Sequence, residues 1–352
     1  MAGVLDGITV IELAGIGPVP FAGMMLADHG ARVIRVERPG LVTRLGNFGH
    51  HDILARNREI LTIDLKQPEG MRALRELLRS ADAMIEGNRP GVLERLGLAP
   101  DDLLADNPRL VIGRATGWGQ TGPMAQRAGH DINYIALSGA LHTFGAEGSK
   151  PIMPSNLVGD FGGGGMLLAF GVLAGILSAR NTGKGQVIDC AMIDGASLLN
   201  AMTYAMFDVG MWQDRRGVNP LDGGAHFYDT YETSDGKWIA LGSVEAQFYA
   251  QLLEVLGLAD DPEFLQQGEH ALWARLKRRL EAIFLTKTRD EWCALMGDTD
   301  ICFAPVLGLA EAPRHPHNVA RGTFIEVDEV VQPAPAPRFS ATPAPPVRMR
   351  HD

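Results

Sequence analysis

Residues 8–37 read ITVIELAGIGPVPFAGMMLADHGARVIRVE, and this stretch decides the fold class. Ile8–Leu13 is an apolar β run. A Gly/Pro turn follows and opens a helical run that stops at Gly30. Arg32–Glu37 is a second β run. Strand, helix and strand in this span imply a parallel pair, because parallel strands need a crossover and a helix supplies it. The rhythm continues outward. Leu61–Leu65, Ala83–Gly87, Leu110–Gly117 and Gln186–Ala191 are further strand candidates, with helices predicted around Gly70–Ser80 and over Ile193–Val209. The expectation is an α/β fold with a parallel sheet covered by helices.

The pattern changes after Gly210. HFYDTYETSDGKWIALGS (His226–Ser243) reads as two β runs joined by a Ser-Asp-Gly turn, an antiparallel hairpin. Helices are predicted over Ala246–Leu256, His270–Leu285 and Arg289–Met296, which makes a smaller α+β domain. The tail from Val331 to Met349 is rich in proline and alanine and should run extended over a surface. FIEV (Phe324–Val327), just before it, can return to the first domain. A chain of 352 residues exceeds one typical core. The expected division is residues 1–210, 225–318 and a returning segment 319–352.

Bulk composition narrows the function classes. Hydrophobic content of 46% and charged content of 21% describe an ordinary globular protein. A net charge of −10 argues against a broad nucleic-acid surface. Cys190, Cys293 and Cys302 are odd in number and form no CxxC, so neither a disulfide framework nor a zinc knuckle is expected, and a reducing cytoplasm is the expected setting. The longest apolar run, Gly165–Leu177, is too short to span a bilayer and is dotted with glycine, so it reads as a buried helix. The first residues lack the basic region and cleavage site of a signal peptide. No membrane partner is expected.

Several stretches could carry chemistry. In AGIGPVPFAG (Ala14–Gly23), Gly15 and Gly17 match the start of a dinucleotide fingerprint, but Pro20 replaces the third glycine, and Pro18 and Pro20 remove amides that a pyrophosphate needs. A plain α/β turn is the better reading. Basic residues gather near strand ends: Arg38, Arg56, Arg58, Lys66, Arg89 and Arg95. GNRPGVLERLG (Gly87–Gly97) puts Arg89 before Pro90 at a helix start, a combination that attracts phosphate. SNLVGDFGGGGM (Ser155–Met166) sets Asp160 before four glycines. These weaken a helix start by roughly 1 kcal/mol each relative to alanine. Something must therefore approach that backbone closely, or its free amides must hold a developing oxyanion.

AGHDINYIALSG (Ala128–Gly139) places His130 beside Asp131; by itself this is equally a polar start to a buried helix. Glu245 opens the helix after the hairpin, where Ser243 could cap it and Glu245 could serve the helix dipole. Met192, Met202, Met206 and Met211 could fill a core or form an adaptable apolar wall. His315 and His317 flank Pro316 without a nearby third ligand, so no metal site is expected.

Taken together, these stretches carry a resemblance. VIELAGIGPVPFAGMMLADHGARVIRVERPG (Val10–Gly40), RNREILTIDLK (Arg56–Lys66), NRPGVLERLGL (Asn88–Leu98), TGWGQTGPMAQRAGHDINYIALSG (Thr116–Gly139), NLVGDFGGGGM (Asn156–Met166), GKGQVIDCAMIDG (Gly183–Gly195) and LDGGAHFYDTYETSDGKWIALGSVEAQFY (Leu221–Tyr249) stand in family order. The chain resembles the type III CoA-transferase superfamily and, within it, the α-methylacyl-CoA racemases, over nearly its whole length.

The resemblance implies a Rossmann-like large domain with a smaller α+β domain, joined in an interlocked homodimer. The active site would lie between the large domain of one subunit and the small domain of the other. It implies an isomerase that interconverts (2R)- and (2S)-2-methylacyl-CoA by proton transfer at C2 through an enolate. His130 and Asp160 would be the acid/base pair, and Glu245 would brace the histidine from the other subunit. Asp131 keeps the position of the transferase nucleophile, which leaves acyl-CoA transfer through Asp131 as the alternative.

The resemblance also implies a coenzyme A cleft at Ile16, Arg38, Arg58, Asp64, Leu65, Lys66, Gly87, Asn88, Arg89 and Arg95. The amide of Asp131 with Gly162 and Gly163 would stabilise the enolate. Met192, Met202, Met206 and Met211 would face the acyl chain. No separate cofactor is expected, since coenzyme A is part of the substrate. The implied partners are the acyl-CoA and a second copy of the chain.

Overall fold

The computed structural model of the chain describes residues 3–40 and 48–350. Residues 1–2 and 351–352, the outer ends of the expected large domain, lie outside the described residues. The chain forms two compact units: Met1–Ala140, Pro154–Asn200 and Val319–Asp352 make the first, and Leu141–Met153 with Ala201–Asn318 make the second.

The first unit is built on six parallel strands: β1 (Thr9–Leu13), β2 (Arg32–Glu37), β3 (Glu59–Thr62), β4 (Ala83–Glu86), β5 (Val111–Thr116) and β6 (Gln186–Ala191). Their order across the sheet is β3-β2-β1-β4-β5-β6. This is the doubly wound arrangement of the Rossmann fold. The third strand starts two residues before the expected LTIDL run and ends at Thr62, because pairing with β2 runs from Ile34–Glu59 to Glu37–Thr62.

Both faces of the sheet are covered, so successive apolar residues are sent to opposite layers, with the charged side chains of Glu12, Arg35, Glu37, Glu86 and Arg114 buried in the same strands. Val10, Val33, Ile85 and Val111 pack with Val19, Leu26, Leu168 and Val172. Their neighbours Ile11, Ile34, Met84 and Ile112 pack on the other face with Leu74, Leu78 and Leu103.

The glycine-rich stretch is helical. Leu157–Met166 forms a wide, π-type turn that runs into the helix Leu167–Thr182. The joined segment has 26 residues and contains an 18-residue window with a mean hydropathy of 1.8, so by length and composition it could cross a membrane. The expected buried helix Gly165–Leu177 lies within this segment, and the four glycines that read as interruptions continue the helix. Leu168, Ala169, Val172, Gly175, Ile176 and Ala179 are buried in the unit.

The expected helix over 193–209 is two helices, Met192–Leu199 and Ala201–Asp208, because the Asn200 amide bonds back to Ser197 O and closes the first. The boundary between the units falls there, at Asn200, and residues 141–153 group with the second unit. The chain re-enters the first unit from Val319. FIEV forms β10 (Phe324–Val327), which pairs antiparallel with β11 (Val330–Pro333). Buried Arg56 fixes this segment: it donates to Asp28 Oδ2 at 2.5 Å, to Gln332 Oε1 at 2.8 Å and to Pro333 O at 2.8 Å.

The second unit holds an antiparallel sheet of β7 (Tyr228–Glu232), β8 (Trp238–Gly242) and β9 (Phe303–Val306) in that order. The hairpin β7–β8 closes at Ser234–Gly236 as its turn residues predict. Helices Ala246–Leu256, His270–Phe284 and Arg289–Met296 cover it. Its aromatic core includes Phe227, Tyr231, Phe264, Trp273, Phe284 and Trp292.

Candidate active site

In the sheet of the first unit, β1 and β4 are neighbours whose connections leave in opposite directions. The loops after such a pair part and leave a crevice at the carboxyl edge of the strands. A cavity of about 420 Å³ occupies that edge. Ile16, Gly17 and Pro18 line it from the loop after β1, Gly87–Pro90 from the loop after β4, and Ala115–Trp118 from the end of β5. Arg127, Gly129, His130, Tyr134, Asp160 and Met192 complete the wall. The cavity thus brings together seven residues singled out in the sequence: Ile16, Gly87, Asn88, Arg89, His130, Asp160 and Met192.

His130 stands at the start of the helix Asp131–Leu137 with an extended backbone (φ −133°, ψ 173°), and its amide donates to Asn133 Oδ1 at 3.0 Å. It is exposed to the cavity, whereas its neighbour Asp131 is only 5% exposed. Asp131 turns inward: its Oδ2 accepts from the amides of Gly159 and Asp160 at 2.6 and 2.7 Å.

Asp160 is half-buried, and Asn156 Nδ2 donates to its Oδ2 at 3.1 Å. Burial raises the Asp160 pKa above the ordinary carboxyl value. The Asn156 bond opposes this, the like charge of Asp131 adds to it, and His130 opposes it. Tyr134 crosses Trp118 edge to face at 4.8 Å. Burial, with the charge of Asp160 next, pushes its phenol up to about 12.

The loop after β4 is held from below. Buried Glu86 accepts from Arg114 Nε at 3.0 Å and from the Asn88 amide at 2.6 Å, which fixes where Asn88 and Arg89 leave the strand.

Other expected site residues lie elsewhere. Arg38 is exposed just after β2, and Asp64, Leu65 and Lys66 follow β3, with Asp64 Oδ1 accepting from the Lys66 amide at 3.0 Å. They share the carboxyl edge of the sheet with the cavity but do not line it. Arg95 is exposed at the end of the short helix Val92–Arg95.

Arg58 does not face solvent: its side chain is 0% exposed, pairs with Glu12 and donates to Pro20 O at 3.1 Å. This corrects its expected place in the coenzyme A cleft: the side chain is buried and does not line the cavity. The Glu12 carboxylate inside the sheet layer holds the guanidinium there.

Gly162 and Gly163 also fall outside the lining. The close approach predicted for the glycine run is made by neighbouring helices. A Cβ at Gly163 would meet Ala196 N at 2.7 Å, one at Gly164 would meet Met192 and Pro18 at 2.9 Å, and one at Gly165 would meet Phe21 at 2.7 Å.

Met202, Met206 and Met211 belong to the second unit, where Met202 and Met211 are exposed and Met206 is half-buried. Glu245, also of the second unit, is exposed and precedes the helix Ala246–Leu256. Ser243 does not cap that helix; its hydroxyl donates to Ile301 O at 2.5 Å.

Sequence reasoning missed Trp118, Arg127 and Tyr134, and it read Gly17 only as part of an imperfect dinucleotide turn. Tyr134 carried a usable signal, since it lies four residues after His130 and such pairs share a helix face. Gly17 has φ +68°, and a Cβ there would stand 3.2 Å from Asp160 Oδ2. The GIG turn therefore serves to bring backbone against the Asp160 carboxyl, not to receive a dinucleotide.

This arrangement puts an imidazole and a carboxyl of raised pKa around one small-molecule cavity, the equipment of proton transfer. Known proteins agree with that chemistry. The mouse α-methylacyl-CoA racemase is 44% identical over 348 residues, covering 99% of this chain and 89% of its own. The human α-methylacyl-CoA racemase is 44% identical over 344 residues, covering 97% and 87%. A crystal structure of a CaiB/BaiF family protein from Brucella suis superposes with a TM-score of 0.84 at 27% identity, covering 100% of this chain and 96% of that one. The model of CoA-transferase family III matches residues 5–351. The chain belongs to CoA-transferase family III.

Proposed function

We propose that the chain is an isomerase, an α-methylacyl-CoA racemase that interconverts (2R)- and (2S)-2-methylacyl-CoA. The observation that carries this reading is that His130 and Asp160 line one cavity while Asp131 is buried and bonded to backbone amides. A thioester acidifies the proton on its neighbouring carbon. One group removes that proton, an enolate forms, and the second group returns a proton to the opposite face.

His130 suits one side because an imidazole ring can both accept and donate a proton and stands exposed in the cavity. Asp160 suits the other because burial keeps its carboxyl protonated to higher pH than an exposed aspartate. The amide of Asp131, first in its helix and without a helical carbonyl to bond, is the donor we assign to the enolate oxygen. Gly87, Asn88 and Arg89 would hold the pantetheine and phosphate part, with Ile16 against it. Arg38, Arg95 and Asp64–Lys66, on the same sheet edge, would hold the nucleotide end. No separate cofactor enters the reaction.

The working form in this reading is an interlocked homodimer in which Glu245 of the partner subunit orients His130. Exposed apolar side chains support an association: Phe170 and Leu177 in the first unit, Met202 and Phe207 in the second. Met192 in the cavity and Met202, Met206 and Met211 would give the acyl chain a deformable wall. Cys190, Cys293 and Cys302 are unpaired thiols, which fits a reducing cytoplasm.

The test is incubation of a pure (2R)-2-methylacyl-CoA with the protein in deuterated water. The expected result is loss of optical purity with deuterium entering at C2, and His130→Ala and Asp160→Asn should each lower the rate by 10²-fold or more, the scale of a lost general acid or base, about 10²–10⁴. A substrate that stays undeuterated overturns the reading. Transfer of CoA to a free acid through a hydroxylamine-sensitive intermediate would assign the chain to acyl-CoA transfer through Asp131.

A further inference from the structure

Asp131 is a carboxylate with an unusual placement. It is 5% exposed, does not line the cavity, and sends Oδ2 to two successive amides, Gly159 at 2.6 Å and Asp160 at 2.7 Å. Its other oxygen, Oδ1, is buried with no hydrogen-bond partner among the described residues. A carboxylate poised to attack a thioester must present a free oxygen to the cavity, and this one is turned to backbone. The two amides it holds open the wide helical turn that carries Asp160. Such first-turn amides have no carbonyl of their own to bond, and an anion satisfies them.

The contact is also sterically specific. A Cβ on Gly159 would lie 2.6 Å from Asp131 Oδ2, so glycine at 159 is what lets the carboxylate reach the amides.

We propose that Asp131 is a positioning residue, an anchor whose carboxylate fixes the backbone of Gly159 and Asp160 and thereby sets the Asp160 carboxyl at the cavity opposite His130. The inference rests on the racemase reading and gives Asp131 a part in it other than nucleophile. It also links sequence neighbours that point apart: His130 acts at the cavity while Asp131 places the second acid. The charged and titratable groups that bear on Asp160 are Asp131 and His130, and Tyr134 couples to both aspartates and to Arg89. Removing the Asp131 charge therefore removes a like charge beside the His130–Asp160 pair. The part of the pH profile that Asp160 sets should move as a result.

The test compares Asp131→Asn, Asp131→Ala and Gly159→Ala in the full chain. Asp131→Asn keeps an oxygen for both amides and puts its NH₂ where Oδ1 has no partner. Its kcat should fall no more than about tenfold, and the limb of the kcat–pH profile set by Asp160 should shift toward acid, because the like charge that raises the Asp160 pKa is gone. Asp131→Ala and Gly159→Ala remove the anchor. Each should lower kcat about 100-fold, the scale of a misplaced catalytic group, with KM within about threefold. In both, amide hydrogen exchange over 157–166 should quicken.

Asp131→Ala with near-native kcat and unchanged amide protection overturns the proposal. So does Asp131→Asn that is as inactive as Asp131→Ala with an unmoved profile, because the ionised carboxylate would then be needed for chemistry. If wild-type protein exchanges no proton at C2, the racemase reading fails instead, and the amide-exchange comparison still decides whether Asp131 anchors the turn.

Discussion

Gly17 shows how narrow the tolerance is around the candidate acid. Its φ of +68° suits glycine, and any side chain there would press on the Asp160 carboxyl. Gly17→Ala should lower kcat by about tenfold or more, on the scale of a displaced catalytic group, while costing only about 1 kcal/mol of stability from the strained backbone. Steady-state kinetics beside a urea titration separate the two effects; a loss of stability with intact kcat would sink the argument. The GIG turn was visible in the sequence, but its partner was not. Nothing in residues 14–23 says that the carboxyl of Asp160, 143 positions after Gly17, will face it. Asp131 has the same character. Its identity was plain, yet whether it faced substrate or backbone depended on where the 157–166 turn lands.

At the scale of elements, the adjacent apolar pairs Val10 and Ile11, Val33 and Ile34, and Val111 and Ile112 made the parallel sheet legible, because burial on both faces calls for apolar residues at successive positions, even though buried Glu12, Arg35 and Arg114 interrupt the same strands. The glycine run was less legible. Its cost was correctly read as a sign of close approach, but the approaching groups are helices. A Cβ at Gly195 would fall on the Gly163 carbonyl, so these two helices touch backbone to backbone. Gly195→Ala should destabilise the protein by about 1–3 kcal/mol, the usual cost of overpacking, seen as a lower urea midpoint with an unchanged slope. An unaltered midpoint would mean that the helices can separate freely. Helix–helix contact is not written in local propensity, which counts glycine only as a breaker.

At the scale of the whole molecule, the second unit carries its own pH sensitivity. His226 is fully buried beneath β7 and the helices, and its Nε2 meets Tyr249 Oη at 2.7 Å. Burial, reinforced by Lys277, lowers its pKa to about 4. The unfolded chain takes up a proton on this imidazole from near pH 6.5 downward, while the folded chain does so only near pH 4. Stability from this group is therefore complete above pH 6.5 and is lost as pH falls toward 4, by roughly 3 kcal/mol over that window. Four of the five tryptophans, Trp212, Trp238, Trp273 and Trp292, lie in the second unit, so tryptophan fluorescence during urea unfolding reports on it. His226→Gln should flatten the dependence between pH 6.5 and 4; an unchanged slope would place the sensitivity elsewhere.

The sequence by itself determined the strand-helix-strand order of the first unit, the hairpin of the second, and the identities of His130 and Asp160. Local pattern governs these, because burial of one face or two imprints a period on neighbouring residues. The tertiary structure alone decided that Arg58 is buried and paired with Glu12, that Gly162 and Gly163 serve helix packing, and that Asp131 faces backbone while His130 faces the cavity. Each of those outcomes depends on contacts between residues tens of positions apart. The partner of a buried charge is set by which elements meet in space, and no local period records that.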